Sequence, residues 1–218
     1  MAHASAEAGR IGPNAIIRVA ETLRDVLGED TTRVIFARAH LEPHLAHLPT
    51  GMVPEEDVGA LQTALFDELE EGQARKIAFE AGLRTGDYLL ANRIPKPAQA
   101  VLKILPPALA SRILLSTIKK HSWTFSGTGD FSVANGHPVV VSIVGCPICR
   151  GRHGAHPQCD YYAGTFQRLF EVLVSRNTSV RETRCEAMGD PSCTFEISWK
   201  KTGRGSGSQR VLTGKDQT

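Results

Sequence analysis

The sequence predicts an α+β fold, with N-terminal helices followed by an antiparallel sheet packed on helices. Two patterns carry this expectation. Apolar residues recur at helical spacing up to residue 121, and after residue 127 that period gives way to strand-like alternation around turn signals. The resulting order of helices, hairpin, helix and second hairpin fits an antiparallel sheet with helices against it.

The first stripe is Ile16, Ala20, Leu23 and Leu27, with Asn14 placed to cap it and Gly28 to stop it. A second helix is expected from Asp30 or Thr31 through Val34, Ile35 and Phe36, until Pro43 forbids its continuation. Pro49, Gly51 and Pro54 form a connector. Pro54 then opens a third helix, with Glu55, Glu56 and Asp57 at the positive end of the dipole and Val58, Leu61, Leu65 and Leu69 on one face. Gly72 weakens or ends it. Residues 75–92 read as helix, Pro95, Pro97, Pro106 and Pro107 punctuate the next stretch, and residues 109–121 resume the helical period.

Residues 131–134 and 138–144 flank Asn135-Gly136, a hairpin signal, and open the sheet. An irregular loop over 145–159 leads to a helix marked by Tyr162, Phe166, Leu169 and Leu173. Residues 178–188 and 193–199 read as the last two strands, turning at residues 189–192. In the final strand Cys193, Phe195, Ile197 and Trp199 alternate with polar residues, so one face points inward.

The 218 residues, 41% hydrophobic, suffice for one substantial core. Twenty-five Lys plus Arg against 23 Asp plus Glu leave a net charge of +2, which argues against a nucleic-acid partner. The opening residues lack the apolar stretch of a secretory signal, which predicts a cytoplasmic protein. The longest apolar run, 139–144 and its continuation toward 149, falls short of the roughly 20 residues that span a bilayer, so any membrane contact is expected to be peripheral.

Five cysteines, all after residue 145, read as metal ligands or reactive thiols in a reducing compartment before they read as disulfides. A turn centred on Gly189 sets Cys185 opposite Cys193 on one face of the last hairpin. Cys159 is the remaining soft donor placed to approach that hairpin, for which a zinc ion is suited. Glu182 points to the other face of a regular strand and joins only if a bulge intervenes. Two alternatives stand beside this reading. Free cysteines also serve as small buried hydrophobes, and Cys146-Pro-Ile-Cys149 is a separate CxxC pair that suits zinc or thiol chemistry. His153 and His156 are substitute ligands; His40, His44 and His47 fall at helical spacing, but Pro43 breaks their register.

The run from Cys185 to Phe195, CEAMGDPSCTF, preceded by CDYYAGTF from Cys159 to Phe166, closely resembles the signature of 4-vinyl-reductase domains. The resemblance covers about residues 97–199, and the full chain is similar to a protein family of bacteriochlorophyll biosynthesis in purple photosynthetic bacteria. It implies a structural zinc ion held by Cys159, Glu182, Cys185 and Cys193, and an α/β sandwich shared with vesicle-tethering subunits that bury an acyl chain. It further implies a homodimer, and an apolar pocket for a flat or greasy ligand to which Trp123, Phe125, Phe131, Tyr162 and Phe166 are candidates, although core packing alone also explains these aromatics. The chain then divides into a flexible N-terminus (1–12), a helical region (13–96), the zinc-containing domain (97–200) and a disordered tail (201–218).

The family is named for reducing the vinyl group of divinyl tetrapyrrole intermediates. Hydride transfer needs a donor, and the sequence has no nicotinamide or flavin fingerprint: Gly127-Thr-Gly129 precedes a strand and lacks the third glycine. Zinc carries no electrons, and four protein ligands leave it no open position. These points favour a carrier that presents a magnesium tetrapyrrole to other pigment-biosynthesis enzymes, in the cytoplasm or at the rim of the photosynthetic membrane. The alternatives are a reductase that uses an external donor and, disfavoured for want of an attached ATPase or DNA-binding module, an aromatic-ligand sensor.

Overall fold

The computed structural model describes residues 9–200, so the expected tail and residues 1–8 of the expected flexible N-terminus lie outside the described residues. A short strand β1 (Arg10–Ile11) leads to a long helix α1 (Asn14–Arg38), one turn α2 (Pro43–Ala46) and a second short strand β2 (Val53–Pro54). Helices α3 (Glu55–Glu68), α4 (Glu71–Asn92), α5 (Lys96–Ile104), α6 (Pro107–Lys120) and the short α7 (Trp123–Ser126) follow. The sheet strands are β3 (Asp130–Ala134), β4 (Val139–Val144), β5 (Thr178–Arg184) and β6 (Cys193–Trp199), with α8 (Asp160–Leu173) between β4 and β5. They pair antiparallel in the order β3-β4-β6-β5. The α+β expectation holds. Among the described residues no helix is long and apolar enough to cross a membrane.

The sheet buries one face, with Val139, Val141 and Ile143 of β4 beside Cys193, Phe195, Ile197 and Trp199 of β6. Helix α8 supplies Tyr162, Phe166, Leu169, Phe170 and Leu173 to the same core and packs its other side on α4. The α4–α8 contact is made through backbone. A Cβ on Gly82 would stand 2.2 Å from the Tyr161 carbonyl oxygen, and one on Gly164 would stand 2.2 Å from the Phe79 carbonyl oxygen. One buried cluster runs from Ile11 to Trp199, so the helical region and the zinc-type domain expected on either side of position 96 share a single core.

Several expected boundaries shift, each for a local reason. The first two expected helices are one element: Gly28 leaves helical geometry at φ 86° and ψ 173°, but the chain resumes at once, and the Thr32 hydroxyl donates to the Gly28 carbonyl at 2.7 Å. Pro13 is the residue preceding α1, and Asn14 lies within the helix, its Oδ1 accepting from Arg18 Nε at 3.3 Å. Leu69 ends α3 in extended geometry, and Gly72 falls in the first turn of α4. Pro97 and Pro107 start helices instead of interrupting them, because a first-turn proline gives up no helical hydrogen bond. The strand expected to reach residue 188 stops at Arg184, where the chain enters a 3-10 turn over Glu186–Met188 and then a left-handed Gly189 at φ 87°. Residues 10–11, expected within a flexible N-terminus, pair with Val53–Pro54 and bury Ile11.

Because Gly82 and Gly164 each abut a carbonyl of the opposite helix, Gly82→Ala and Gly164→Ala are each expected to cost about 1–3 kcal/mol. Gly72→Ala, where nothing lies within 4 Å of the added carbon, serves as the control. Thermal denaturation checks this: the first two variants should melt several degrees below wild type and the control should not. Equal melting of all three would mean that the helices are not held at backbone contact.

Candidate metal centre

Four segments bring all five cysteines together. Cys146 and Cys149 sit in the loop that leaves β4, Cys159 immediately precedes α8, Cys185 follows β5, and Cys193 begins β6. All five are buried and none is in a disulfide. Sulfur separations are 3.7 Å for Cys146–Cys159, 3.3 Å for Cys149–Cys193, 3.5 Å for Cys159–Cys193, 3.9 Å for Cys159–Cys185 and 3.8 Å for Cys185–Cys193. Two sets of four donors have their ligand atoms within 4.8 Å of one another: Cys159, Glu182, Cys185 and Cys193, and Cys146, Cys149, Cys159 and Cys193.

The bulge that Glu182 required is present. Glu182 pairs with Phe195 and Arg184 with Thr194, so Thr183 is an extra residue in β5 and the strand turns there. One Glu182 carboxylate oxygen accepts the Cys159 backbone N–H at 2.8 Å, whereas its Oε1 is buried with no hydrogen-bond partner. Burial, followed by the nearby Cys185, pushes the Glu182 carboxyl up to about 9. A buried oxygen without a partner, beside thiols, suits a cation. Burial likewise pushes the Cys146 and Cys159 thiols up, while hydrogen bonds first from Cys146 and then from Cys159 pull Cys149 down. Five close sulfurs in a dry pocket cannot all ionise unless positive charge joins them.

Two further carboxylates shape the site without joining either donor set. Glu186 accepts the backbone N–H groups of Gly145 at 2.6 Å and Cys146 at 2.8 Å, which ties the CxxC loop to the last hairpin. Asp190 accepts the Cys185 N–H at 2.9 Å, and the Glu186 N–H points at the Cys193 sulfur at 3.4 Å. Below Cys159, the Asp160 carboxylate forms a two-pronged pair with Arg75 of α4 at 3.1 Å, which fixes the start of α8. Arg152 is buried with its guanidinium 3.9 Å over the Phe66 ring, and two of its nitrogens have no partner. None of these five residues was legible as a site residue, because their roles depend on which segments meet.

A buried carboxylate anchors the outer side of the loop. Glu55 accepts from the Thr128 hydroxyl at 2.5 Å, the Thr128 N–H at 2.8 Å and Arg150 at 2.5 Å, and Arg150 also donates to the Gly145 carbonyl at 2.8 Å. Burial raises the Glu55 carboxyl, but the hydrogen bonds from Thr128 and Arg150 outweigh it, and the net shift is downward.

Four of the five expected pocket aromatics meet. Phe125, Phe131, Tyr162 and Phe166 have ring centres 5.4–6.4 Å apart, and the Tyr162 hydroxyl donates to the Phe125 carbonyl at 2.6 Å. They pack on one another as part of the core. Trp123 stands apart, 46% exposed. His153 and His156 are exposed and belong to neither donor set, and His156 faces Glu71 at 3.2 Å. His40 and His47 are exposed, and His44 faces Asp57 at 3.9 Å. Gly127-Thr-Gly129 leads from α7 into β3 and serves the Glu55 contacts.

Residues 139–198 match the 4-vinyl-reductase domain, a span that includes Cys146, Cys149, Cys159, Glu182, Cys185 and Cys193. The chain is 42% identical over 190 residues to the bacteriochlorophyll synthase 23 kDa chain of Cereibacter sphaeroides, covering 87% of this chain and 91% of that protein. It is 36% identical over 195 residues to the protein of the same description from Rhodobacter capsulatus, covering 86% of each. Among solved structures, an Fe(II) unliganded H-NOX protein from K. algicida superposes with a TM-score of 0.59 at 10% identity, covering 90% of this chain and 100% of that one. Another H-NOX structure, from work on heme distortion, gives 0.55 at 14% identity, covering 90% and 99%. These are likenesses of fold.

The lowered Glu55 carboxyl sets an acid dependence. Its contribution to stability is complete above the ordinary value of 4.5 and is lost as pH falls from there through its lower folded value. Glu55→Gln should lower the stability at pH 7 by about 1–3 kcal/mol and flatten the loss of stability below pH 4.5, measured by urea denaturation across pH. An unchanged acid slope in the variant would place the acid sensitivity elsewhere.

Proposed function

The chain belongs to the 4-vinyl-reductase-domain family that includes the bacteriochlorophyll synthase 23 kDa chains, and from that membership we propose that it holds a divinyl tetrapyrrole intermediate and presents it for reduction of its vinyl group. A role in bacteriochlorophyll biosynthesis is the coarse conclusion, and the 42% identity across nearly the whole chain carries it. The reading of carrier over reductase is supported by chemistry. Gly127-Thr-Gly129 is taken up by a helix-to-strand turn in which Thr128 bonds Glu55, so those glycines do not form a nucleotide-binding turn. A zinc ion at Cys159, Glu182, Cys185 and Cys193 would be closed by four protein ligands, steadying the last hairpin against α8 and supplying no electrons.

The aromatic cluster is self-packed, so the ligand is assigned to an open cleft of about 620 Å³ between α5 and the end of α8. Val172, Leu173 and Val174 supply its apolar part, while Lys103, Arg168 and Arg176 supply cationic groups suited to the carboxylate of a chlorophyllide-type ring. The decisive measurement is an absorbance titration of the purified full chain with divinyl protochlorophyllide, with and without reduced nicotinamide. A saturable band shift without conversion, weakened severalfold by a Lys103→Glu, Arg176→Glu double variant, is expected. Donor-dependent loss of the vinyl band would make the protein the reductase instead, and no shift at all would remove tetrapyrrole binding.

Next to this cleft, no acidic residue occurs from 88 to 129, while Arg93, Lys96, Lys103, Arg112, Lys119 and Lys120 do. Val101, Ile104, Leu109, Ile113 and Trp123 are exposed in the same stretch, Ile104 to 82%. A basic surface with protruding apolar side chains suits peripheral contact with an anionic bilayer, where an insoluble pigment would be collected. Cosedimentation with vesicles rich in anionic lipid should exceed that with zwitterionic vesicles and fall with salt and with Ile104→Glu. Loss of self-association in Ile104→Glu with no change in vesicle binding would assign this face to a homodimer.

A further inference from the structure

Either four-donor set leaves buried donors idle. An ion held by Cys159, Glu182, Cys185 and Cys193 leaves Cys146 and Cys149 as thiols, although their sulfurs stand 3.7 Å from Cys159 and 3.3 Å from Cys193. An ion held by Cys146, Cys149, Cys159 and Cys193 leaves Glu182 Oε1 buried and unpartnered. The two sets overlap in Cys159 and Cys193 alone, whose sulfurs are 3.5 Å apart. Each remaining pair then belongs to one side: Cys146 and Cys149 from the loop after β4, Glu182 and Cys185 from the bulged end of β5.

The geometry points to a dinuclear centre, in which two zinc-type divalent ions share the Cys159 and Cys193 thiolates and are closed by Cys146 with Cys149 on one side and by Glu182 with Cys185 on the other. Six donors then serve two four-coordinate sites and none is idle. Tetrahedral zinc with sulfur at about 2.3 Å spaces its sulfur ligands about 3.8 Å apart, and the separations of 3.3–3.9 Å across this cluster match that spacing. Charge supports the pairing. Five thiolates and a carboxylate carry six negative charges; one divalent ion would leave four of them in a dry pocket, whereas two leave two. Arg152, buried beside Cys149, Cys159 and Cys185 with two unpartnered guanidinium nitrogens, offsets one more. Each thiol that binds releases its proton to solvent, and no oxidation or reduction is involved.

The second site is held open by contacts that do not themselves bind metal. Glu186 clamps the N–H groups of Gly145 and Cys146, and Arg150 clamps the Gly145 carbonyl, so the CxxC loop is presented to Cys159 and Cys193 at fixed range. This inference rests on the zinc reading above, and its failure is separable from failure of that reading.

The test is metal analysis of the purified full chain, kept reduced, followed by cadmium substitution and cadmium NMR. Two equivalents per chain are expected, with two cadmium resonances split by coupling through the shared sulfurs. Cys146→Ser with Cys149→Ser should retain one ion and lose the splitting, and Glu182→Gln with Cys185→Ser should do the same from the other side, so the result stands even if one variant fails to fold. One equivalent in wild type, unchanged in the Cys146/Cys149 variant and lost in Cys185→Ser, overturns the dinuclear centre and leaves the single zinc site. Two resonances without splitting overturn the shared thiolates. No bound metal overturns both readings.

Discussion

The backbone contact between α4 and α8 is the constraint on which the rest depends. Gly82 and Gly164 let each helix place a carbonyl where a side chain would otherwise stand, and the approach fixes both the depth and the rotation of α8 over the sheet. Its inward face then delivers Tyr162, Phe166 and Phe170 to the core, and its start delivers Cys159 to the ends of β5 and β6. A helix held a few ångströms further out would keep its apolar partners in looser form, but it would withdraw the Cys159 sulfur from Cys185 and Cys193. Close packing of two helices is therefore a precondition of the cysteine cluster.

The cluster in turn depends on an irregularity. A regular β5 would put Glu182 and Cys185 on opposite faces, because side chains alternate along a strand. The extra Thr183 resets that alternation and lets both face the Cys159 end of α8. Glu182, Glu186 and Asp190 then divide the work. Asp190 commits its carboxylate to the Cys185 backbone and Glu186 to two backbone groups of the CxxC loop, whereas Glu182 gives one oxygen to Cys159 and keeps the other unpartnered. That remaining oxygen distinguishes a ligand from a brace.

Much of this was legible in the sequence, and the reasons are physical. Helical stripes and the Asn135-Gly136 turn are local signals, so the main elements and the α+β class could be read without tertiary information. The alternation of Cys193, Phe195, Ile197 and Trp199 marked both strand and inward face. The need for a bulge could be stated in advance, since four donors at the spacings of Cys159, Glu182, Cys185 and Cys193 conflict with a regular strand. What could not be read was convergence. Cys146 and Cys149 looked like a separate pair because their partners lie 10 to 47 positions away, and Glu186 looked like an ordinary turn residue. The pocket aromatics were legible as apolar, but only packing distinguishes Trp123, which faces solvent, from Phe125, Phe131, Tyr162 and Phe166, which fill one another's space.

The separation of these two regions bears on what the protein does. The cysteine cluster lies at the junction of the α8 N-terminus with the last hairpin, while the basic and apolar surface belongs to α5, α6 and the far end of α8. A metal centre that performed chemistry on a bound pigment would have to share a cavity with it. Here the buried sulfurs are enclosed by their own loops, and the open cleft is lined by lysine, arginine and aliphatic groups that can grip an amphiphile but offer it no electrons. The proposed ions then have a mechanical task, locking α8 to the sheet at one end so that its other end is a rigid wall for the ligand. A rigid wall with a cationic rim beside an exposed apolar surface is the design of a carrier that collects a pigment and hands it on.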